Sequence, residues 1–295
     1  MSYRTSPLWI LPLIVAVVSA GVPAATWAYS LLPLSTEEAQ TLPSEVIEAT
    51  LGIDYFKDLR YPPFTPPGVI RSQTLMGLPQ LAFRIGVGGW AEFQASYEML
   101  YLDETAVNGT TNHQYGGGDA RIFTKLWFMR ERDLWPAIGM RFGTKLPNAT
   151  RSTRLGTDDT DFGAAALLSK TLGPLSAHAN LGILLLGNSG PSVGNSFKAG
   201  GQDDLFSYAF GAASAPLGAT TEGATTIRLL GEVAGLEGSH FNNDQSDIRA
   251  GLQLQRGRGT LYLGVSVGLI TASEDVGVNS GFTYTFDSTK LFESD

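Results

Sequence analysis

From Val46 to Phe286, short segments that strictly alternate apolar with polar or small residues follow one another, and the gaps between them are by turns short and long. In Leu261-Tyr262-Leu263-Gly264-Val265-Ser266-Val267-Gly268-Leu269, one face carries three leucines and two valines, while the other carries Tyr262, Gly264, Ser266 and Gly268. A period of two belongs to a β-strand, whose successive side chains leave the pleat on opposite sides. The repetition predicts an all-β fold: a closed antiparallel transmembrane barrel of the outer-membrane type.

Twelve strands can be placed. They are Val46–Lys57, Ser72–Gly88, Trp90–Leu102, Gly118–Met129, Leu134–Leu146, Thr160–Lys170, Pro174–Gly187, Asp203–Ser214, Ala224–Leu236, Ser246–Gln255, Gly259–Thr271 and Gly281–Phe286. Most have the ~9–11 residues needed to cross a bilayer at a tilt. Tight turns follow alternate strands, as at Gly88-Gly89 and Arg256–Gly259, and longer loops such as Pro147–Asp159 and Asn188–Gln202 follow the others. Short periplasmic turns and longer external loops are the pattern of this class. Pro79 has no N–H to donate to a ladder, so a bulge or break is expected there.

The N-terminus reads as a secretory signal: Arg4, an apolar Leu8–Ala20, then small residues up to Ala28. The predicted organisation is a signal peptide over 1–28, a periplasmic N-terminal segment over 29–45, a barrel over 46–287 and a tail over 288–295. Residues Tyr29–Glu45 have two possible placements, in the periplasm or tucked into the lumen. With no cysteine in the chain, disulfides, thiol catalysis and cysteine-bound zinc are excluded. A net charge of −8 with no basic run argues against nucleic acid.

The expected lipid-facing side carries residues such as Leu51, Ile53, Phe83, Ile85, Phe93, Tyr97, Phe142, Phe206 and Phe210. The opposite face carries seven acids and seven bases: Glu48, Asp54, Glu92, Glu98, Asp119, Asp161 and Glu232 with Arg84, Arg121, Lys125, Arg141, Lys145, Arg228 and Arg249. Inside a barrel such charges are costly unless paired or wet. A basic wall of Arg121, Lys125, Arg141 and Lys145, facing or abutting an acidic one of Glu92, Glu98 and Asp119, is expected to line a constriction. The competing reading is a charge network that merely fills the lumen. Twelve strands lie between side-chain-filled barrels of about eight and open porins of 16–18, so a narrow, partly occluded pore is expected.

Ser176, His178 and Asn180 share one face of one strand. Outer-membrane phospholipase A, a twelve-stranded barrel, uses a Ser/His/Asn site. Here the register turns the three toward the lumen, near the periplasmic turn, where they read as a polar wall that includes His178 and Asn180. His113 and His240 lie in expected external loops, too dispersed for a transition-metal site. Asp158, Asp159 and Asp161, with Asp203 and Asp204, read either as oxygen ligands for calcium or as solvated loop charge.

Several segments resemble the family of outer-membrane proteins associated with the MetA pathway of phenol degradation. They are Gly118-Asp119-Ala120-Arg121 with Lys125, Lys145-Leu146-Pro147-Asn148, Leu155–Phe162, Ser169–Gly173 and His178-Ala179-Asn180-Leu181-Gly182. The resemblance spans Gly116 to about Gly187 and implies an outer-membrane barrel for uptake of hydrophobic or aromatic small molecules. The sequence thus predicts a non-enzymatic channel for passive passage of small solutes, without cofactor. Its expected partners are outer-membrane lipids, the solute and, during insertion, the barrel-assembly machinery. The alternatives are an outer-membrane hydrolase using Ser176 and His178, and a closed structural or adhesive barrel.

Overall fold

The computed structural model describes residues 30–59, 70–149, 151–187, 204–218, 224–238 and 244–287. The predicted signal peptide and C-terminal tail, His240, Asp203 and the loop Asn188–Gln202 lie outside the described residues.

Thirteen strand segments form one sheet: β1 (Val46–Lys57), β2 (Ile70–Val87), β3 (Ala91–Ala106), β4 (Thr111–Gly117), β5 (Ala120–Met129), β6 (Ala137–Leu146), β7 (Asp161–Leu172), β8 (Leu175–Leu185), β9 (Asp204–Ser214), β10 (Thr226–Glu237), β11 (Gln245–Arg256), β12 (Gly259–Gly268) and β13 (Val276–Asp287). Each pairs antiparallel with its neighbours, and β1 pairs with both β2 and β13, which closes the ring. β4 and β5 both pair with β3, on its outer and inner halves, and together they make one stave. The fold is therefore a closed barrel of twelve antiparallel staves, as the alternation predicted.

Three parts of the sheet depart most from the sequence reading. The expected long loop after the third strand is a β-hairpin, because Met99–Thr105 pairs in register with Thr111–Gly117. The stave breaks at Gly118 and Asp119, where the Gly118 N–H donates to the Glu98 carbonyl (2.9 Å) and Asp119 turns inward. The last strand is not short: β13 begins at Val276 because its whole length has β1 to pair with. At Pro79 the β2–β3 register shifts between Gly77 and Gln80, the irregularity expected of a residue without an N–H.

The short-turn rim is closed by hairpins such as Gly88-Gly89, both with positive φ (60° and 72°), which glycine adopts without strain. Around the outside, Leu51, Phe83, Val87, Ile183, Phe210, Leu229 and Leu261 are exposed, as an apolar wall must be when lipid is its solvent. The buried residues face inward.

Residues 30–45 do not hang outside the barrel; they run along its inner wall. The physical reason is a series of lumen-facing polar groups that the backbone of this segment satisfies.

Candidate functional site: the lined lumen

The segment begins against β11, crosses the inner faces of β10 to β3, and reaches β2 before β1 starts. Gln253 donates to the Ser30 and Leu32 carbonyls (2.7 and 2.6 Å), and Arg249 donates to the Pro33 carbonyl and the Ser35 hydroxyl (both 3.0 Å). The Glu232 carboxylate accepts the N–H groups of Ser35 and Thr36 (2.7 and 2.8 Å) and the Thr36 hydroxyl (2.6 Å). Asn180 accepts the Glu37 N–H (2.6 Å) and donates to its carbonyl (2.8 Å), as a paired strand residue would. Ser169 accepts the Ala39 N–H (2.8 Å), and Glu92 accepts the Leu42 N–H (2.9 Å).

Apolar contacts add to these bonds. Leu31 and Leu34 pack on Ala213 and Leu230, and Ala39 packs on Ala137 and Leu167. Room is made by missing side chains. A Cβ on Gly86 would stand 1.9 Å from the Pro43 carbonyl oxygen, and one on Gly264 would stand 2.3 Å from Pro33 Cγ.

The opposite wall, from β1 to β6, is dense with charge. Register sets its pairs: Glu48 is opposite Arg84 across β1–β2, and Glu92 is opposite Lys125 across β3–β5. Arg84 grips Glu92 through two nitrogens (2.8 and 3.1 Å) and Glu48 through a third (2.8 Å). A forked guanidinium suits such a grip, and each bond is charge-assisted. Lys125, fully buried, lies 3.2 Å from Glu92 and 3.8 Å from Glu37. Arg141 donates to Glu37 and to the Gln94 side-chain oxygen Oε1 (both 2.8 Å) and stacks over Phe123, 3.7 Å from the ring centre. Toward the far rim, Arg121 pairs with Glu98 (2.7 Å), and Lys145 pairs with Asp119 and Asp161 (both 3.0 Å). Acids and bases thus abut along neighbouring strands.

Of the residues singled out from the sequence, Glu92, Lys125 and Arg141 meet at the segment's Glu37. Arg121 with Glu98, and Lys145 with Asp119, form separate pairs farther along. Glu232, Asn180 and Ser169, the latter bonded to His178 (2.8 Å), hold the segment; Arg228 is half-buried on the same strand face as Glu232. Sequence reasoning did not find Glu37 or Gln94. Glu37 lies outside the alternating pattern, and Gln94 is uncharged. Burial alone would raise the Glu37 carboxyl, but Arg141, Lys125 and Arg84 together hold it below its ordinary value.

Between residues 30–38 and this charged wall remains a cavity of about 210 Å³, lined by Arg84, Arg121 and Arg141 on the barrel and by Glu37 and Glu38 on the segment. At the far mouth, Leu155 and Ala149, from the loop after β6, pack on Leu75, Leu100 and Leu102 as an apolar cap. The Ala149 N–H donates to Asp119 (2.9 Å), and Arg154 pairs with buried Glu104 (3.0 Å).

Ser176 and His178 are within hydrogen-bond distance (2.9 Å), but the other imidazole nitrogen meets Ser169, and Asn180 is committed to Glu37. The third group of a triad, which orients the base, is thus engaged elsewhere. Asp161 is tied to Lys145, and His113 to Asp103 (3.2 Å). Among the described residues no cluster of three metal-ligating side chains occurs.

Closed staves, an apolar exterior and a polar lined interior define a closed antiparallel β-barrel of the outer-membrane type. The fold is similar to that of an outer membrane channel from Pseudomonas putida F1 (TM-score 0.62, 11% identity, covering 86% of this chain and 100% of that one). Weaker likenesses are the β domain of the Bordetella autotransporter BrkA (TM-score 0.47, 12% identity, 82% and 100%) and the translocator domain of the Neisseria meningitidis autotransporter NalP (TM-score 0.47, 11% identity, 82% and 87%). No family model and no curated protein sequence matched the chain.

Proposed function

We propose that this protein is an outer-membrane channel through which small solutes pass passively, narrowed by its own N-terminal segment. The observation that carries this reading is the cavity left between residues 30–38 and the arginine-lined wall. A barrel serving only as a scaffold has no use for a charged slot beside a neatly bonded liner. Export by the N-terminal signal, insertion by the barrel-assembly machinery and location in the outer membrane belong to the same proposal. The apolar cap of Leu75, Leu100, Leu102 and Leu155 suits an aromatic or otherwise apolar solute carrying a polar group. The slot beyond it would receive that group. This agrees with the uptake of aromatic compounds that the family resemblance implies.

The test is single-channel conductance in a planar bilayer, with uptake of a phenolic acid into vesicles alongside it. Discrete small steps and uptake that Arg141→Ala slows are the expected result. Silence in both, from protein shown to be folded, would overturn the channel reading and favour a structural or adhesive barrel. For the hydrolase alternative, His178→Ala should leave ester hydrolysis at background; a loss from a measurable wild-type rate would revive it.

A further inference from the structure

The outer wall carries a second concavity, unrelated to the lumen. It measures about 540 Å³ and lies at the short-turn rim across β11, β12 and β13. Its floor is Leu254, Leu261, Phe282 and Tyr284, all outward-facing and exposed. Leu254, Leu261 and Phe282 stand in one register row, and Gly259 faces Tyr284 in the next. The hollow exists because Gly259 has no side chain: a Cβ there would lie 3.0 Å from the Phe282 ring. At its edge stand Arg256 and Arg258, both exposed, flanking the β11–β12 turn.

Two other described cations of this rim already have partners. Lys170 is neutralised by Glu131 (3.1 Å), and Arg130 covers the Trp127 ring (5.2 Å). Among the described residues, no carboxylate lies within ion-pairing distance of Arg256 or Arg258. Two guanidinium groups with no ion-pair partner among the described residues, above an apolar groove at the short-turn rim, complement an anionic headgroup above an acyl chain. Guanidinium is the side chain best matched to a phosphate's paired oxygens.

We infer that this groove binds an anionic glycerophospholipid of the periplasmic leaflet, its phosphate on Arg256 and Arg258 and one acyl chain along Leu254, Leu261 and Phe282. The site goes beyond transport and holds whether or not the lumen conducts.

The test uses the full-length protein in detergent micelles doped equally with phosphatidylglycerol and phosphatidylcholine, with retained lipid read by native mass spectrometry. The wild type should retain phosphatidylglycerol at least several-fold in excess. R256Q/R258Q should abolish the excess, and R256K/R258K should restore part of it. Heat-modifiable gel mobility checks that each variant is folded. No lipid preference in the wild type, or a preference unchanged in the glutamine variant, would overturn the assignment. So would displacement by millimolar inorganic phosphate, which would make the arginines a plain anion patch.

Discussion

Between β1 and β6 the lumen wall satisfies its polar groups mostly with side-chain charges, Glu37 of the segment among them; between β7 and β11 it relies mostly on the backbone of residues 30–39. Arg84, Glu92, Lys125 and Glu48 lean on one another, so each is another's counter-ion. Ser169, Asn180 and Gln253 lean instead on amides and carbonyls of a segment outside the sheet. The first arrangement is part of the barrel's stability. The second fastens a separable liner. Loss of one charge strands others in a dry place, whereas loss of one fastening leaves backbone groups that lumen water can serve.

The largest effect should come from Glu92→Ala, which leaves Arg84 and Lys125 buried with less compensation. A loss of about 3–5 kcal/mol in urea unfolding from lipid vesicles is expected. A change below ~1 kcal/mol would break the comparison, since that is what an exposed pair would give. Glu232→Ala should act mainly on the liner. A nitroxide at Leu32→Cys, in a chain with no other cysteine, should be immobile in the parent and mobile in this variant, while the strands stay protected from proteolysis. An unchanged spectrum would show that the liner does not depend on this anchor.

Glu37 offers a pH handle. Its carboxyl is held below the ordinary value of 4.5 once the surrounding arginines and lysine outweigh burial. A depressed carboxylate contributes stability above its unfolded value and loses it as pH falls through the folded value. The nitroxide should therefore stay immobile from neutral pH to about 4.5 and loosen only below that; mobility already rising near pH 6 would contradict it. The smallest effect belongs to the rim. Glu131 accepts the Thr171 N–H (2.9 Å) and pairs with Lys170 in water, so Glu131→Gln should cost no more than about 1 kcal/mol.

The ring was legible in the sequence because lipid outside and water inside impose a period of two on every stave. Leu261 to Leu269 shows it without help from any other segment. Inward and outward assignments for Phe83, Phe210, Glu92 and Lys125 followed from that period alone. The liner was not legible, because Leu31-Leu32-Pro33-Leu34 repeats nothing and the Gln253 amide that donates to the Leu32 carbonyl lies 221 residues away. A signal was nevertheless present. Gly86, Gly139, Gly211, Gly251 and Gly264 all fall on lumen-facing positions, and each of their missing Cβ atoms would strike residues 33–43. Small residues on an inner wall mark where something else has to fit. The pairing of charges was half legible: the acids and bases were visible, but only register decides which of them are neighbours.

The seam between β1 and β13 joins the first stave to the last, and residues 30–45 come before either. The thread is tied to the first stave beside that seam, at the short-turn end where β1 begins, so it stays attached to the mouth it fills whether the hoop is fastened before or after it settles. The barrel thus carries its own stopper on a short tether next to its final seam.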